Sequence, residues 1–161
     1  MDFKLPTDVE ALRVRVAAFV RERIVPLEAD RANYDEHENI RVDVLDRMRA
    51  EVKAAGLWAP QVPKELGGLG LDVVARAALY EEMNWSIFGP ACFNAAAPDD
   101  GNMTVLAKVA TPAQKARWLA PIVDGRVRSS FAMTEPHPGS GSDPAMTLTR
   151  AERRGDRWVV H

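Results

Sequence analysis

The residues best suited to chemistry lie near the end of the chain, in the stretch FAMTEPHPGSGSDP from Phe131 to Pro144. An apolar segment there leads into Thr134 and Glu135, and a loop of glycine, serine and proline follows. Glycine allows a ligand to approach the backbone, and the N–H groups of a small-residue loop can bind an anionic group while serine hydroxyls add donors. The pattern is compatible with a ligand-binding loop. Glycine-serine loops are far more often plain turns, so the loop alone is a weak signal for a ligand.

The sequence lacks the residue patterns of metal binding, disulfide formation, P-loop phosphate binding and nucleophilic catalysis. His37, His137 and His161 lie far apart without the spacing of metal ligands, so we expect no metal site. The single cysteine, Cys92, can form neither an internal disulfide nor a cysteine-rich metal site, which favours a reducing compartment. No P-loop, nucleophile elbow or Ser-His-Asp arrangement is present.

Composition and charge narrow the class of protein. The 161 residues are 47% hydrophobic, which is enough for a core of ordinary size. The formal net charge of −2, without a basic stripe, argues against a nucleic-acid partner or an anionic membrane surface. No stretch approaches the ~18 apolar residues of a membrane span, and the amino terminus lacks a targeting pattern. We therefore expect a cytoplasmic protein that binds neither nucleic acid nor membrane.

Helical periodicity dominates the first part of the chain. Helices are expected over residues 7–33 with a bend at Pro26, 42–55, 72–85, 86–95, 100–109 and 111–125, and an ordered loop over residues 57–71. Two starts have the spacing of a capping box, Thr7 with Glu10 and Thr111 with Gln114. The acid pairs at 81–82 and 99–100 are interpreted as solvated face and helix cap.

After Gly125 the pattern changes from helix to strand. Strands are expected over residues 127–134, 146–151 and 158–160, with a turn at 154–156. So few strands make a poor sheet alone. We therefore predict a mainly α fold, an amino-terminal helical bundle domain (1–126) followed by the first strands of an incomplete β-domain (127–161), and we expect the chain to be the front portion of a larger fold.

With these elements in place, FAMTEP followed by GSGSD resembles the flavin-binding signature of the acyl-CoA dehydrogenase family, in which Thr-Glu-Pro is followed by Gly-x-Gly-Ser-Asp. The run from Phe93 to Pro136 is similar to the family's sequence through two helices, a Thr-Pro-x-Gln-Lys helix start and the first strand. GLWAPQVPKELGGLGL (56–71) resembles the loop between the family's second and third helices, and RRGDRWVVH (153–161) one of its later strands. The resemblance covers essentially the whole chain.

The resemblance implies a cofactor, FAD, and residues that bind it. The backbone at Phe131, Met133 and Thr134 would lie along the flavin ring, with the Thr134 hydroxyl on its pyrimidine side; Gly141 and Ser142 would approach the pyrophosphate or the CoA portion. For Phe131 and Met133 the alternative is a place in the core of a sheet.

One departure from the family pattern affects this assignment. His137 and Pro138 lengthen the loop by two residues, so that Ser140 could replace Ser142 as the hydroxyl that faces the substrate. Glu135 and Asp143 occupy positions that order the loop in the family, and neither is assigned as a catalyst.

The function implied is that of an FAD-dependent acyl-CoA dehydrogenase of fatty acid metabolism, which oxidises an acyl-CoA thioester to the 2-enoyl-CoA. In the family the base belongs to a carboxy-terminal domain, so we expect no catalytic residue in this chain and no activity of the chain alone. Electron-transferring flavoprotein is the implied electron acceptor, and a homo-oligomer the implied assembly. Two alternatives remain open: a same-fold flavin monooxygenase or nitroalkane-oxidising enzyme, and a non-enzymatic, truncated helical binding protein.

Overall fold

The structure, a computed structural model, describes residues 4–161. The chain divides into two compact units, one ending at Ser129 and the other comprising Ser130–His161. The first unit is helical and the second contains a small antiparallel sheet. The prediction of a mainly α fold with a few strands at its carboxyl end is confirmed.

The helical unit has a helix in every predicted segment, although the one in the predicted 86–95 segment covers four residues and the predicted 7–33 and 111–125 helices are interrupted by other turn types. The helices are α1 (Thr7–Phe19), α2 (Val42–Ala54), α3 (Val73–Met83), α4 (Gly89–Cys92), α5 (Asp99–Val109), α6 (Pro112–Gln114) and α7 (Ala120–Val123). A π-helical turn (Val20–Ile24) and 3-10 turns (Val25–Ala29, Arg31–Asn33) extend α1, another 3-10 turn (Lys64–Leu66) lies in the ordered loop, and a π-helical turn (Lys115–Leu119) joins α6 to α7. The regular helix ends before Pro26, which cannot donate a backbone hydrogen bond.

A hydrophobic core holds these helices together. Val16, Val20 and Ile24 are fully buried and recur every four residues, so they form one stripe along α1 and its π-helical extension. That stripe belongs to the same cluster as Leu79 of α3, which packs against α1. The rings of Phe19 and Phe93 meet edge to face, with centroids 5.7 Å apart.

The two expected capping boxes have different outcomes. At Thr111 the box is confirmed: the Gln114 N–H donates to the Thr111 hydroxyl (3.3 Å), and the Thr111 N–H donates to Gln114 Oε1 (2.9 Å). At Thr7 the prediction is wrong. Pro6, not Thr7, is the extended residue before α1, so Thr7 is already helical, and the Glu10 carboxylate instead pairs with Arg13.

The acid pairs are a second correction: Glu82 is buried rather than part of a solvated face, and Asp99 makes no capping hydrogen bond at the start of α5. Glu82 is 6% exposed and pairs with Arg13, while Arg21 lies 3.7 Å from its other oxygen. Asp99 is 2% exposed. A buried carboxylate requires ionic or hydrogen-bonding partners, and both residues have them.

In the second unit β1 (Ala151–Arg154) pairs with β2 (Arg157–Val160), with Ala151 opposite Val160 and a turn at positive-φ Gly155. The predicted strand over 158–160 is confirmed as part of β2. Residues 127–134 form no strand, so that prediction is wrong. The prediction over 146–151 is wrong except at Ala151, the first residue of β1, because a 3-10 turn (Pro144–Met146) occupies its start. A strand needs a neighbouring strand, and within residues 4–161 no strand lies beside 127–134.

Candidate functional site

The segment from Phe131 to Thr134 is exposed in the second unit. Phe131 is 67% exposed and Met133 37% exposed, so neither forms part of a core in this chain. Among residues 4–161, no acceptor lies within hydrogen-bonding distance of the backbone N–H groups of Phe131, Met133 or Thr134. A backbone segment with free donors can bind a ligand that carries acceptors along one edge.

The Glu135 carboxylate organises the loop that follows. Its Oε2 accepts from the N–H groups of Leu148 (2.9 Å) and Ser140 (3.1 Å), and its Oε1 accepts from the Thr149 N–H (2.7 Å). These donors, Leu148 first and then Thr149, lower the pKa of Glu135 from 4.5 to about 2. The expected loop-ordering role of Glu135 is confirmed by these bonds.

Small residues let the loop close tightly over this carboxylate. A side chain at Gly139 would place its first carbon 2.4 Å from Glu135 Oε2, so only glycine fits there. Gly141 has a positive φ of 49° with open space around it, so the backbone conformation rather than crowding favours glycine. The Asp143 carboxylate accepts from the Ala145 N–H (2.9 Å) and caps the 3-10 turn.

The two serines of the loop face different surroundings. Ser140 is 2% exposed, and its hydroxyl donates to the Met133 carbonyl oxygen (2.7 Å). Ser142 is exposed, with no partner among the described residues. Ser140 therefore ties the loop to the extended segment, whereas the Ser142 hydroxyl is available to a ligand.

Asp99 is the polar residue that sequence reasoning misjudged most. Its Oδ1 accepts from the backbone N–H (2.6 Å) and the hydroxyl (2.7 Å) of Ser129, and its Oδ2 accepts from Arg128. It therefore joins the first turn of α5 to the last residues of the helical unit. Helical spacing offers a signal that could have found it, since Asp99 lies one turn before the buried Met103.

The described residues contain neither a cluster of metal ligands nor a helix that could span a membrane. Within residues 4–161 no three His, Cys, Asp or Glu side chains are grouped so that they could hold a metal ion. None of the helices in this range is long and apolar enough to cross a membrane.

Comparisons with known proteins give the family. Residues 6–126 match the family described as acyl-CoA dehydrogenase, N-terminal domain. Over its whole length the chain is 33% identical to the probable acyl-CoA dehydrogenase FadE2 of Mycobacterium tuberculosis, of which it covers 40%. Over 91% of its length it is 36% identical to acyl-CoA dehydrogenase family member 10 of Mus musculus, of which it covers 14%.

A solved structure from Mycobacterium abscessus, assigned to the acyl-CoA dehydrogenases, superposes on 98% of the chain with a TM-score of 0.85 and 36% identity. The chain belongs to the acyl-CoA dehydrogenase family. It spans 41% of that structure, so it corresponds to well under two thirds of the relatives it matches.

Proposed function

We propose that the chain is the amino-terminal portion of an FAD-dependent acyl-CoA dehydrogenase, an oxidoreductase that converts an acyl-CoA thioester to the 2-enoyl-CoA. Family membership supports the reaction class. One observation supports the place of the cofactor: the exposed segment from Phe131 to Thr134 has free backbone donors and continues into a loop held closed by Glu135.

The residues present fit FAD. The ring has a polar edge of hydrogen-bonding atoms, and the free N–H groups of Phe131, Met133 and Thr134, together with the exposed Thr134 hydroxyl, can pair with it. Bound FAD supplies the acceptor for the hydride that leaves the substrate. Open space at Gly141 and the exposed Ser142 suit the pyrophosphate or the CoA portion, because small residues leave the backbone accessible.

Between the two serines we propose Ser142 as the residue that contacts the substrate. The Ser140 hydroxyl already donates to the Met133 carbonyl and is buried, so turning it to a ligand would leave that carbonyl without its donor. Ser140 acts through the loop geometry instead. In a protein with Ser140→Ala the loop would be loosened, whereas Ser142→Ala would remove a ligand contact only.

Glu135 is unsuited to proton abstraction. Three backbone N–H groups stabilise its carboxylate, and a pKa of about 2 makes a weak base at neutral pH. No other carboxylate lies in the loop except Asp143, which caps the 3-10 turn. We therefore propose that residues outside this chain supply the base, that the isolated chain does not turn over, and that electron-transferring flavoprotein and a homo-oligomer belong to the complete enzyme.

The experiment compares the isolated chain with the polypeptide encoded by the complete reading frame that contains it. We expect the complete protein to bind FAD near 1:1, visible as a yellow colour, and to form enoyl-CoA from an acyl-CoA with an artificial electron acceptor. The isolated chain should form none. A complete protein that folds but stays colourless and does not respond to added FAD would refute the proposal, and a hydroxylated product would assign a monooxygenase instead.

A pair of threonine variants tests the site itself. Thr134→Val removes a hydroxyl at constant shape, so the dissociation constant for FAD should rise roughly fivefold, as expected for loss of one hydrogen bond. Thr134→Ser, which keeps the hydroxyl, should bind nearly as the wild type does. Thr7→Val makes the same change at an exposed residue of α1 and is the matched control. Equal FAD affinity of Thr134→Val and Thr7→Val would exclude the Thr134 contact.

A further inference from the structure

Asp99 binds the last two residues of the helical unit, Arg128 and Ser129. Its side chain is 2% exposed, and its two oxygens accept three hydrogen bonds, two from Ser129 and one from Arg128. The Asn102 side chain, one turn further along α5, donates to the Ser129 hydroxyl (2.8 Å). The Ser129 hydroxyl is thus a donor to Asp99 and an acceptor from Asn102, so both its position and its rotation are determined.

Capping of α5 does not account for these contacts. Other acids and hydroxyls at helix starts act locally: Asp72 accepts from the N–H of Ala75, three residues away, and Thr111 accepts from Gln114. Asp99 accepts no such local bond and reaches Ser129, 30 residues along the chain. Its desolvation is offset by hydrogen bonds from Arg128 and Ser129, at the end of the unit.

The segment held in this way lies directly before the proposed flavin-binding backbone. Only Ser130 separates Ser129 from Phe131 in the sequence. The N–H of Ser129 is bound to a charged, buried acceptor, and such bonds are shorter and stronger than neutral ones. By contrast, the N–H groups of Phe131, Met133 and Thr134 have no acceptor within residues 4–161. The bound N–H of Ser129 and the free N–H of Phe131 are therefore two residues apart.

We infer that Asp99 is a positioning residue for the cofactor: it fixes the backbone of residues 128–129, and so restrains the chain two residues before the first of the free donors of residues 131–134. Preorganised donors lose less conformational entropy when a ligand binds, so affinity depends on the anchor as well as on the contacts. This inference rests on the proposed function, because it concerns how the same site binds flavin.

The test uses the complete reading frame with variants in two residues of the anchor. Asp99→Asn keeps the shape but replaces one acceptor oxygen with a donor, so it loses either the Ser129 bonds or the Arg128 bond. Ser129→Ala removes the hydroxyl only, and Ser129→Thr restores it. Asp100→Asn is the matched control, since the neighbouring Asp100 side chain accepts, among residues 4–161, from the N–H of Gly101 alone (2.7 Å).

We expect the dissociation constant for FAD to rise at least tenfold in Asp99→Asn, severalfold in Ser129→Ala, and less than twofold in Ser129→Thr and Asp100→Asn. At saturating FAD, the fine structure of the flavin absorption band should change in Asp99→Asn and Ser129→Ala, because it reports the hydrogen bonds to the ring. All measurements are made below the unfolding transition of each variant, located by circular dichroism. Ser129→Ala gives a second reading if Asp99→Asn does not fold.

The outcomes separate this inference from the proposed function. If the wild-type protein binds FAD and both Asp99→Asn and Ser129→Ala keep its affinity and spectrum, or change only the unfolding temperature, the positioning role is refuted and the proposed function stands. If the wild-type protein does not bind FAD, both are refuted. Weakened binding with an altered spectrum, restored by Ser129→Thr, supports the inference.

Discussion

Asn94 provides a sharp test of how the helical unit is held together. It is 2% exposed and lies after α4 with a positive φ of 57°. Its side-chain amide donates to the carbonyl oxygens of Ile122 (3.0 Å) and Val123 (3.2 Å) at the end of α7. Asn94 therefore connects two helix ends that are far apart in sequence, and it does so in a backbone conformation that asparagine tolerates better than most residues.

The cost of Asn94→Ala follows from these contacts. Each carbonyl keeps one other donor, Gly125 N–H for Ile122 and the Trp58 indole for Val123, so neither is left unsatisfied. The loss is then two hydrogen bonds of about 1 kcal/mol each plus about 1 kcal/mol for alanine in the left-handed region, giving about 3 kcal/mol in total. Asn94→Gly removes the same bonds without the backbone strain and should cost about 2 kcal/mol.

The assay is urea denaturation of the purified chain, followed by both tryptophan fluorescence and far-ultraviolet circular dichroism, since coincident transitions justify a two-state free energy. Asn84→Ala is the matched control: the exposed Asn84 also donates one hydrogen bond, to the Tyr80 carbonyl (2.7 Å), but from a helical C-cap with negative φ. It should cost less than about 0.5 kcal/mol. An Asn94→Ala cost no larger than that of Asn84→Ala would refute this account of the helix ends.

Two further predictions concern titratable groups. Three N–H groups lower the pKa of Glu135 to about 2, so its stabilisation of the loop should be complete above pH 4.5 and be lost as the pH falls from 4.5 towards 2. The amide NMR shifts of Leu148 and Thr149 should follow this titration in the wild type and not in Glu135→Gln. A titration midpoint near 4.5 would contradict the prediction. Burial raises the pKa of the Cys92 thiol to about 12, so a disulfide reagent at mildly alkaline pH should label Cys92 only after denaturant is added, and rapid labelling of the native chain would contradict its burial.

The features that the sequence predicted well are those set by neighbouring residues. The helix start at Thr111 is one such case, since Pro112 suits the first turn and Gln114 completes the box within three residues. Thr7 and Glu10 have the same spacing but follow Pro6, whose fixed φ already provides the extended residue before the helix. Threonine is the cap where it precedes proline, as at Thr111, and proline takes the cap position where it precedes threonine, as at Pro6.

The features that the sequence predicted poorly depend on distant partners. Residues 127–134 have the composition of a strand, yet strand formation requires a neighbour that no described residue supplies. The loop within residues 131–144 was predicted from its glycines and serines, but the three bonds that Glu135 accepts come from residues up to 14 positions away, two of them in a segment predicted as a strand. Local composition is compatible with a ligand-binding loop, but it could not show that the Glu135 carboxylate accepts hydrogen bonds from backbone N–H groups of the chain itself.

Buried acids are partly predictable from the sequence, because helical periodicity shows which acids lie on the core face of a helix but not which residues pair with them. On α3, Glu82 follows the buried Ala75 and Leu79 at spacings of seven and three, which places it on the core face, whereas Glu81 lies off that stripe. On α5, Asp99 precedes the buried Met103 by four residues, and Asp100 does not share that face. An acid on the core face of a helix must find a partner, and arginine is suited to a buried ion pair. The same periodicity that predicts the helices therefore identifies Glu82 and Asp99 as residues that need partners, while only the tertiary structure shows that these partners are Arg13 and Arg128.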